Sequence, residues 1–273
     1  MAKFYLTNSK KWFDSTIKLI KESDFDLSFS SSANGIYTAS VHKLKIRNTN
    51  AYEQSGKFVI GVGTAIYKES LDYSSILNST VIDIPQIRKE TIGQYSYVIY
   101  DSETCLVFTD KVGVYDVYYY SRGEEWYIAT SLYDLALVLR PYLSLNEYNV
   151  YERAGTSAIL NNETVFNEVH RLNGDQYIRI NKKGQLEVIF DKSATIFPLH
   201  EDKEYTNVLQ ELSKRLVYKA SVVNKVLGRP SIGMTGGVDS RLNCAVFLAE
   251  NQIRNCYIYP RRAMLLIILT TMI

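Results

Sequence analysis

Between Ser231 and Arg241 the chain reads SIGMTGGVDSR, a short apolar run followed by two glycines, two hydroxyls and one carboxylate. These residue types at this spacing suit the binding of an anion. Gly236 and Gly237 have no Cβ atoms, so the backbone can come close to a ligand, and the free N–H groups opening the next helix converge on negative charge. Thr235 and Ser240 carry hydroxyls able to donate to phosphate oxygens. Asp239 is the kind of residue that holds Mg²⁺ against a pyrophosphate, since a carboxylate beside a polyphosphate needs a cation between them. The run is not a Walker A loop, because no lysine follows the glycines, and it lacks the GxGxxG spacing of a dinucleotide turn.

The other residues able to do chemistry are scattered. Cys105, Cys244 and Cys256 are too few and too unpatterned for a disulfide framework or a zinc knuckle, and His42, His170 and His200 form no metal-binding helix face. Arg241 is expected in solvent, Cys244 in a core, His170 and His200 in loops or at the surface. Asp101 and Asp110 are expected as backbone acceptors where strands end.

The turn needs a strand before it and a helix after it. SIGM reads as the strand, RLNCAVFLAEN as the helix and CYIY as a following strand. Ahead of them, DKEYTNVLQELSKRLVYKASVVNKVLGRP places Val208, Leu212, Leu216, Ala220 and Val223 three or four residues apart. That spacing predicts one amphipathic helix of about six turns, stopped by Gly228 and Pro230. Helix, strand, glycine turn, helix and strand open a parallel α/β domain, so a boundary is expected near residue 195. From about residue 35 to 190 the runs KFVIGVGTAIY, GQYSYVIYD, CLVFTD, VYDVYYY, EWYIAT, DQYIRI and LEVIF alternate with period two and predict half-buried antiparallel strands. Helices are expected at SLYDLALVLRPYL, where Leu132, Leu135 and Leu139 share a face before Pro141, and at LNEYNVYERAGTS.

With 273 residues, 46% hydrophobic and 22% charged, the composition is that of a globular chain long enough for two cores. The net charge of +2 gives no reason to expect a nucleic-acid partner. The 22 tyrosines, most of them in the alternating runs, are expected to pack on strands rather than to stack on bases. The N-terminal stretch has no signal-peptide core, and the apolar tail Ala263 to Ile273 is too short to span a bilayer, so no transmembrane segment and a cytoplasmic location are expected.

TGGVDS resembles the pyrophosphate loop of the ATP pyrophosphatase superfamily, with Thr235 in place of the usual serine. The segment GQYSYVIYDSETCLVFTDKVGVYDVYYY, then IATSLYDLALVL, then NETVFNEVHRLNGDQYIRI occur in an order similar to the amidotransferase half of the asparagine synthetase-like family. The resemblance covers roughly residues 56 to 258. It implies an α+β amidotransferase-like domain, an αββα sandwich of the N-terminal nucleophile type, over 1–195. It implies the beginning of a Rossmann-like α/β nucleotide domain over 196–260, with an atypical hydrophobic tail at 261–273. The implied chemistry is ATP-dependent amide formation. A carboxylate is adenylated, pyrophosphate leaves from a cradle of Thr235, Gly236, Gly237 and Ser240 with Mg²⁺ on Asp239, and ammonia or an amine enters. ATP and Mg²⁺ are the implied cofactors.

The chain departs from that family in two ways. An active glutaminase carries a cysteine exposed as residue 1 after methionine removal, whose own amine serves as base, whereas this chain begins Met1-Ala2-Lys3. Its strand end reads Gly61-Val62-Gly63-Thr64 instead of asparagine-glycine-glutamate. Loss of glutamine hydrolysis is therefore expected. Only 33 residues follow Ser240, 273 − 240 = 33, and RRAMLLIILTTMI breaks the preceding pattern, which suggests a shifted reading frame near Pro260. A rival reading is a tail that docks on a partner or a membrane surface. The expectation is a chain of enzymatic ancestry, inactive alone; the alternative is a non-catalytic fragment or partner-binding scaffold.

Overall fold

Period-two alternation sends neighbouring side chains to opposite faces of a strand, so a strand that is apolar at every position must be covered twice. Tyr95–Tyr100 and Cys105–Thr109 meet that condition, with all of their residues buried. The computed structural model shows why. It describes residues 2–43, 51–79, 81–191, 204–235, 237–249, 255–258 and 265–267. The chain divides into two compact units, 1–67 with 72–196, and 68–71 with 197–273.

The first unit holds two six-stranded antiparallel sheets. In one the order is β12 (Val169–Arg171), β10 (Tyr118–Arg122), β11 (Glu125–Ala129), β1 (Lys3–Thr7), β3 (Ile36–Lys43) and β2 (Phe25–Ala33). In the other it is β14 (Leu186–Phe190), β13 (Gln176–Ile180), β9 (Cys105–Thr109), β8 (Tyr95–Tyr100), β5 (Lys57–Gly63) and β4 (Ala51–Gln54). A short pair, β6 (Ile66–Tyr67) and β7 (Thr91–Ile92), stands beside them.

Three cores follow from strand parity. Phe4 and Leu6 of β1 and Trp126 and Ile128 of β11 face Phe58 and Ile60 of β5 and Val98 of β8, forming the core between the sheets. The intervening residues Tyr5, Tyr127 and Ala129 turn the other way, onto α1 (Lys10–Lys21) and α4 (Leu132–Leu139) through Trp12, Ile20, Leu135 and Leu139. Tyr95, Tyr97 and Ile99 likewise pack on α2 (Ser74–Leu77) and α3 (Ile84–Glu90) through Ile76, Ile84 and Ile87. The result is helices, sheet, sheet, helices. A further helix, α5 (Glu147–Thr156), is capped by Asn146, whose side chain accepts from the Asn149 N–H.

The alternating runs do form antiparallel strands, but β8 and β9 are wholly buried rather than half-buried, because helices cover the face that the alternation alone would leave to water. Tyrosines of the strands serve as core packing: Tyr5, Tyr95, Tyr97, Tyr100, Tyr120 and Tyr127 are all nearly inaccessible. One buried cation ties the layers together. The Arg88 guanidinium donates to the Thr109 and Gln176 carbonyls and to Asp191, and its head lies over the Phe108 ring. Burial pulls its pKa down, against the opposing pull of Asp191.

In the second unit, α6 (Tyr205–Leu227) is followed by β15 (Ser231–Met234), α7 (Val238–Ala249), β16 (Asn255–Ile258) and β17 (Leu265–Ile267). β15 and β16 pair in parallel, and β17 runs antiparallel to β16. Residues 68–71 belong to this unit too: Glu69 accepts from the Tyr218 hydroxyl at 2.9 Å and from the Lys225 ammonium at 2.7 Å. The predicted stripe of α6 is buried only toward its end. Ala220 and Val222 are inaccessible, whereas Val208 and Leu212 are 43% and 50% exposed. Val222 rather than Val223 takes the most buried place. The expected boundary at 195, His200, Gly236 and most of the tail lie outside the described residues. No helix among the described residues is long and apolar enough to cross a membrane.

Candidate functional site

The TGGVDS turn lies where the sequence puts it, between β15 and α7. Its described members are exposed at Thr235, Gly237 and Asp239 and half-buried at Ser240. The Ser240 hydroxyl closes the turn. It accepts from the Thr235 N–H at 3.1 Å, lies 3.1 Å from the Thr235 hydroxyl, and reaches the Thr235 and Gly237 carbonyls at 3.1 Å each. A hydroxyl has one proton, so those two carbonyls share it. Ser240 thus shapes the turn, and Thr235 keeps its hydroxyl on the rim, where it also accepts from the Gly237 N–H at 3.3 Å. Arg241 is exposed, with its Nε donating to the Gly237 carbonyl at 3.4 Å.

Gly237 is informative because the chain itself does not require it. A Cβ built there would meet only the Thr235 hydroxyl, at 3.5 Å, an ordinary contact. Compare Gly93, with φ +123° and a Cβ direction that would bring it to 1.8 Å from the Thr64 carbonyl oxygen. Gly93 is a glycine for packing, whereas a Cβ at Gly237 would make only an ordinary contact among the described residues. Asp239 stands in the first turn of α7, where a helix start favours negative charge. No group of three or more His, Cys, Asp or Glu side chains able to hold a metal occurs among the described residues, so a cation on Asp239 would take its remaining oxygens from phosphate and water.

A second locus belongs to the first unit. The two positions at which the sequence departs from a glutaminase, Ala2 and the Gly61–Thr64 strand end, come together around Tyr115. The Tyr115 hydroxyl donates to the Ala2 carbonyl, and its ring would lie 2.6 Å from a Cβ on Gly63. Gly63, at φ +88°, also faces the Gln94 carbonyl. Burial pushes the Tyr115 hydroxyl up to about 12, so it stays neutral. Cys105 is in the core between the sheets, fully inaccessible, and burial pushes its thiol up. It is an inert thiol.

Asp101 and Asp110 act as the strand-end pattern predicts. Asp101 accepts from the Glu103 and Thr104 N–H groups. The buried Asp110 carboxylate accepts from the N–H groups of Tyr95, Val112, Val114 and Tyr115. This second aspartate therefore sets the turn that presents Tyr115. Sequence reasoning did not single out Tyr115 or Arg88, since neither lies in a motif and each acquires its role from partners distant along the chain.

No protein-family model matches the sequence, and no curated protein matches it. Among solved structures, the chain is similar to a glutamine phosphoribosylpyrophosphate amidotransferase from B. subtilis complexed with ADP and GMP. The TM-score is 0.42 with 9% identity, covering 96% of this chain and 67% of that one. It is also similar to an allosteric regulatory enzyme of purine biosynthesis, with a TM-score of 0.40 and 9% identity, covering 96% of this chain and 66% of the other. The chain spans about two thirds of the length of each.

Proposed function

We propose that the Thr235–Ser240 turn binds the pyrophosphate portion of ATP in an asparagine synthetase-like, amide-forming ligase. In this reading the first unit is an amidotransferase-like scaffold of the N-terminal nucleophile type that does not hydrolyse glutamine. The observation that carries the proposal is Gly237, a glycine that no described packing contact requires, on a strand-to-helix turn that also carries the exposed Thr235 hydroxyl and opens α7. Bound with Mg²⁺, ATP supplies an adenylyl group to a substrate carboxylate, and ammonia or an amine then replaces it. The chain's own work is to hold the pyrophosphate. Thr235 donates a hydroxyl, the backbone at Gly237 lies close to the phosphate oxygens, Asp239 holds Mg²⁺, and Ser240 keeps the turn in shape. Stabilising charge on the departing pyrophosphate is electrostatic catalysis by groups fixed in advance.

Calorimetric titration of the full chain with MgATP tests this. Saturable binding is expected, weakened at least tenfold, about 1.4 kcal/mol, by Gly237→Ala and by Asp239→Asn. A Cβ at 237 meets only the Thr235 hydroxyl among the described residues, at 3.5 Å, so a loss in Gly237→Ala, which adds that atom alone, reports on the ligand. Absence of binding to both MgATP and pyrophosphate would overturn the proposal. No ammonia release from glutamine is expected, given the Gly61–Thr64 strand end and the Tyr115 ring at the first-unit locus.

A second reading is a partner-binding scaffold without catalysis, favoured by the exposed Val208, Leu209 and Leu212 on α6. ATP–pyrophosphate exchange separates the two, since only an adenylating site supports it.

A further inference from the structure

We propose that a cleft of the first unit, between the α2–α3 connection and the helix-facing side of the sheet that holds β9 and β13, binds an apolar monocarboxylate through Lys57. The cleft has a volume of about 1080 Å³ and is lined by residues of that unit, which is ample room for a small molecule. Leu77, Val81, Ile84, Leu106, Tyr177 and Phe190 give it apolar walls. Of these, Val81 and Phe190 are 75% and 66% exposed, so apolar surface is available for a ligand to cover.

The charges on the lining decide the class of ligand. Asp83, Asp101, Glu103, Asp191, Arg179 and Lys57 all line the cleft, and five of them have partners within the protein. Asp83 caps α3 by accepting from the Gln86 N–H. Asp101 is committed to the Glu103 and Thr104 N–H groups of its own hairpin. Glu103 accepts from Lys182 at 2.6 Å, and Asp191 accepts from Arg88 at 2.8 Å. Arg179 donates its Nε and one terminal N–H group to Glu187. Lys57 is different. It is half-buried, and among the described residues its ammonium makes no hydrogen bond or ion pair. Asp101 stands across the ladder from it, one position beyond the Phe58–Tyr100 pair, yet turns its carboxylate to the hairpin. The cleft therefore offers one uncompensated cation beside apolar walls, which suits a ligand with one negative charge on an apolar body. A single ammonium balances a single charge, and the four carboxylates of the lining oppose a dianion such as a phosphate monoester. Nothing in this inference depends on what the Thr235–Ser240 turn binds.

Calorimetric titration of the full chain with octanoate tests the proposal, with 1-octanol as the uncharged counterpart and octyl phosphate as the dianion. Saturable binding of octanoate is expected, with 1-octanol and octyl phosphate each weaker by about tenfold or more. Lys57→Met and Lys57→Gln should each lower octanoate affinity to that of 1-octanol while leaving 1-octanol binding unchanged. Val81→Asp, at a position open to water, should weaken octanoate and 1-octanol together without altering the circular dichroism spectrum. The proposal is overturned if octanoate shows no saturable binding, if 1-octanol or octyl phosphate binds as tightly, or if both folded Lys57 variants keep the parent affinity for octanoate.

Discussion

At the scale of single residues, the roles of polar side chains divide by what they touch. Asp110 is legible as a strand-end aspartate, yet only the fold shows that its buried carboxylate gathers four backbone N–H groups. Asp101 performs the same task at an exposed hairpin. Replacing Asp110 by Ala leaves four donors without their acceptor and is expected to cost about 3 kcal/mol, against about 1 kcal/mol for Asp101→Ala. Urea unfolding of the two variants measures the difference, and equal losses would refute the distinction. Glu69 gives a prediction in pH. The Lys225 ammonium, then the Tyr218 hydroxyl, holds its carboxyl below the usual range. A lowered folded-state pKa means the contact contributes fully above the unfolded value, about 4.3, and is lost as pH falls through the lower folded value. A carboxyl-carbon NMR titration should place the Glu69 midpoint below about 4.3, and Lys225→Met should raise it. An unchanged midpoint in Lys225→Met would show that the pair does not form in solution. The candidate residues Thr235, Gly237, Asp239 and Ser240 were readable because a short motif keeps them adjacent. The internal closure by Ser240 was not, since it depends on the dihedral angles of the turn.

At the scale of elements, the strands named from alternation at Lys57–Gly63, Tyr95–Tyr100, Cys105–Thr109, Glu125–Ala129, Gln176–Ile180 and Leu186–Phe190 all form. β1, β2 and α1 were not readable from the same pattern: Lys3–Thr7 sets Phe4, Tyr5 and Leu6 in a row without alternation, and Phe25–Ala33 mixes serines with its apolar residues. Which glycines are structural also needs the fold. Gly93→Ala must relieve both a positive φ and a contact with the Thr64 carbonyl, so a loss of about 4 kcal/mol or more is expected, whereas Gly237→Ala should cost less than about 1 kcal/mol. Thermal unfolding of the two variants side by side checks the order. The α6 stripe shows the limit of periodicity: it marks the face that is suited to burial, and the partners available decide how much of that face is covered.

At the scale of the whole molecule, the two units differ in how much they bury. The first holds three apolar cores, while the inaccessible side chains of the second, among the described residues, are Ala220, Val222, Cys244 and Cys256. Hydrogen exchange should follow that contrast. Amides of β8 and β9 are expected to exchange at least about a hundredfold more slowly than those of Tyr205–Leu212, because local opening costs least where few apolar contacts break. Equal protection would mean that the exposed face of α6 is covered in solution. The sequence by itself determined the antiparallel strands, the long helix and the strand–glycine–helix turn, because each rests on the chemistry of near neighbours along the chain. Only the tertiary structure decided that β8 and β9 are buried on both faces and that Tyr115 fills the space between Ala2 and Gly63. These outcomes depend on residues far apart in the chain, and only packing brings them within contact distance.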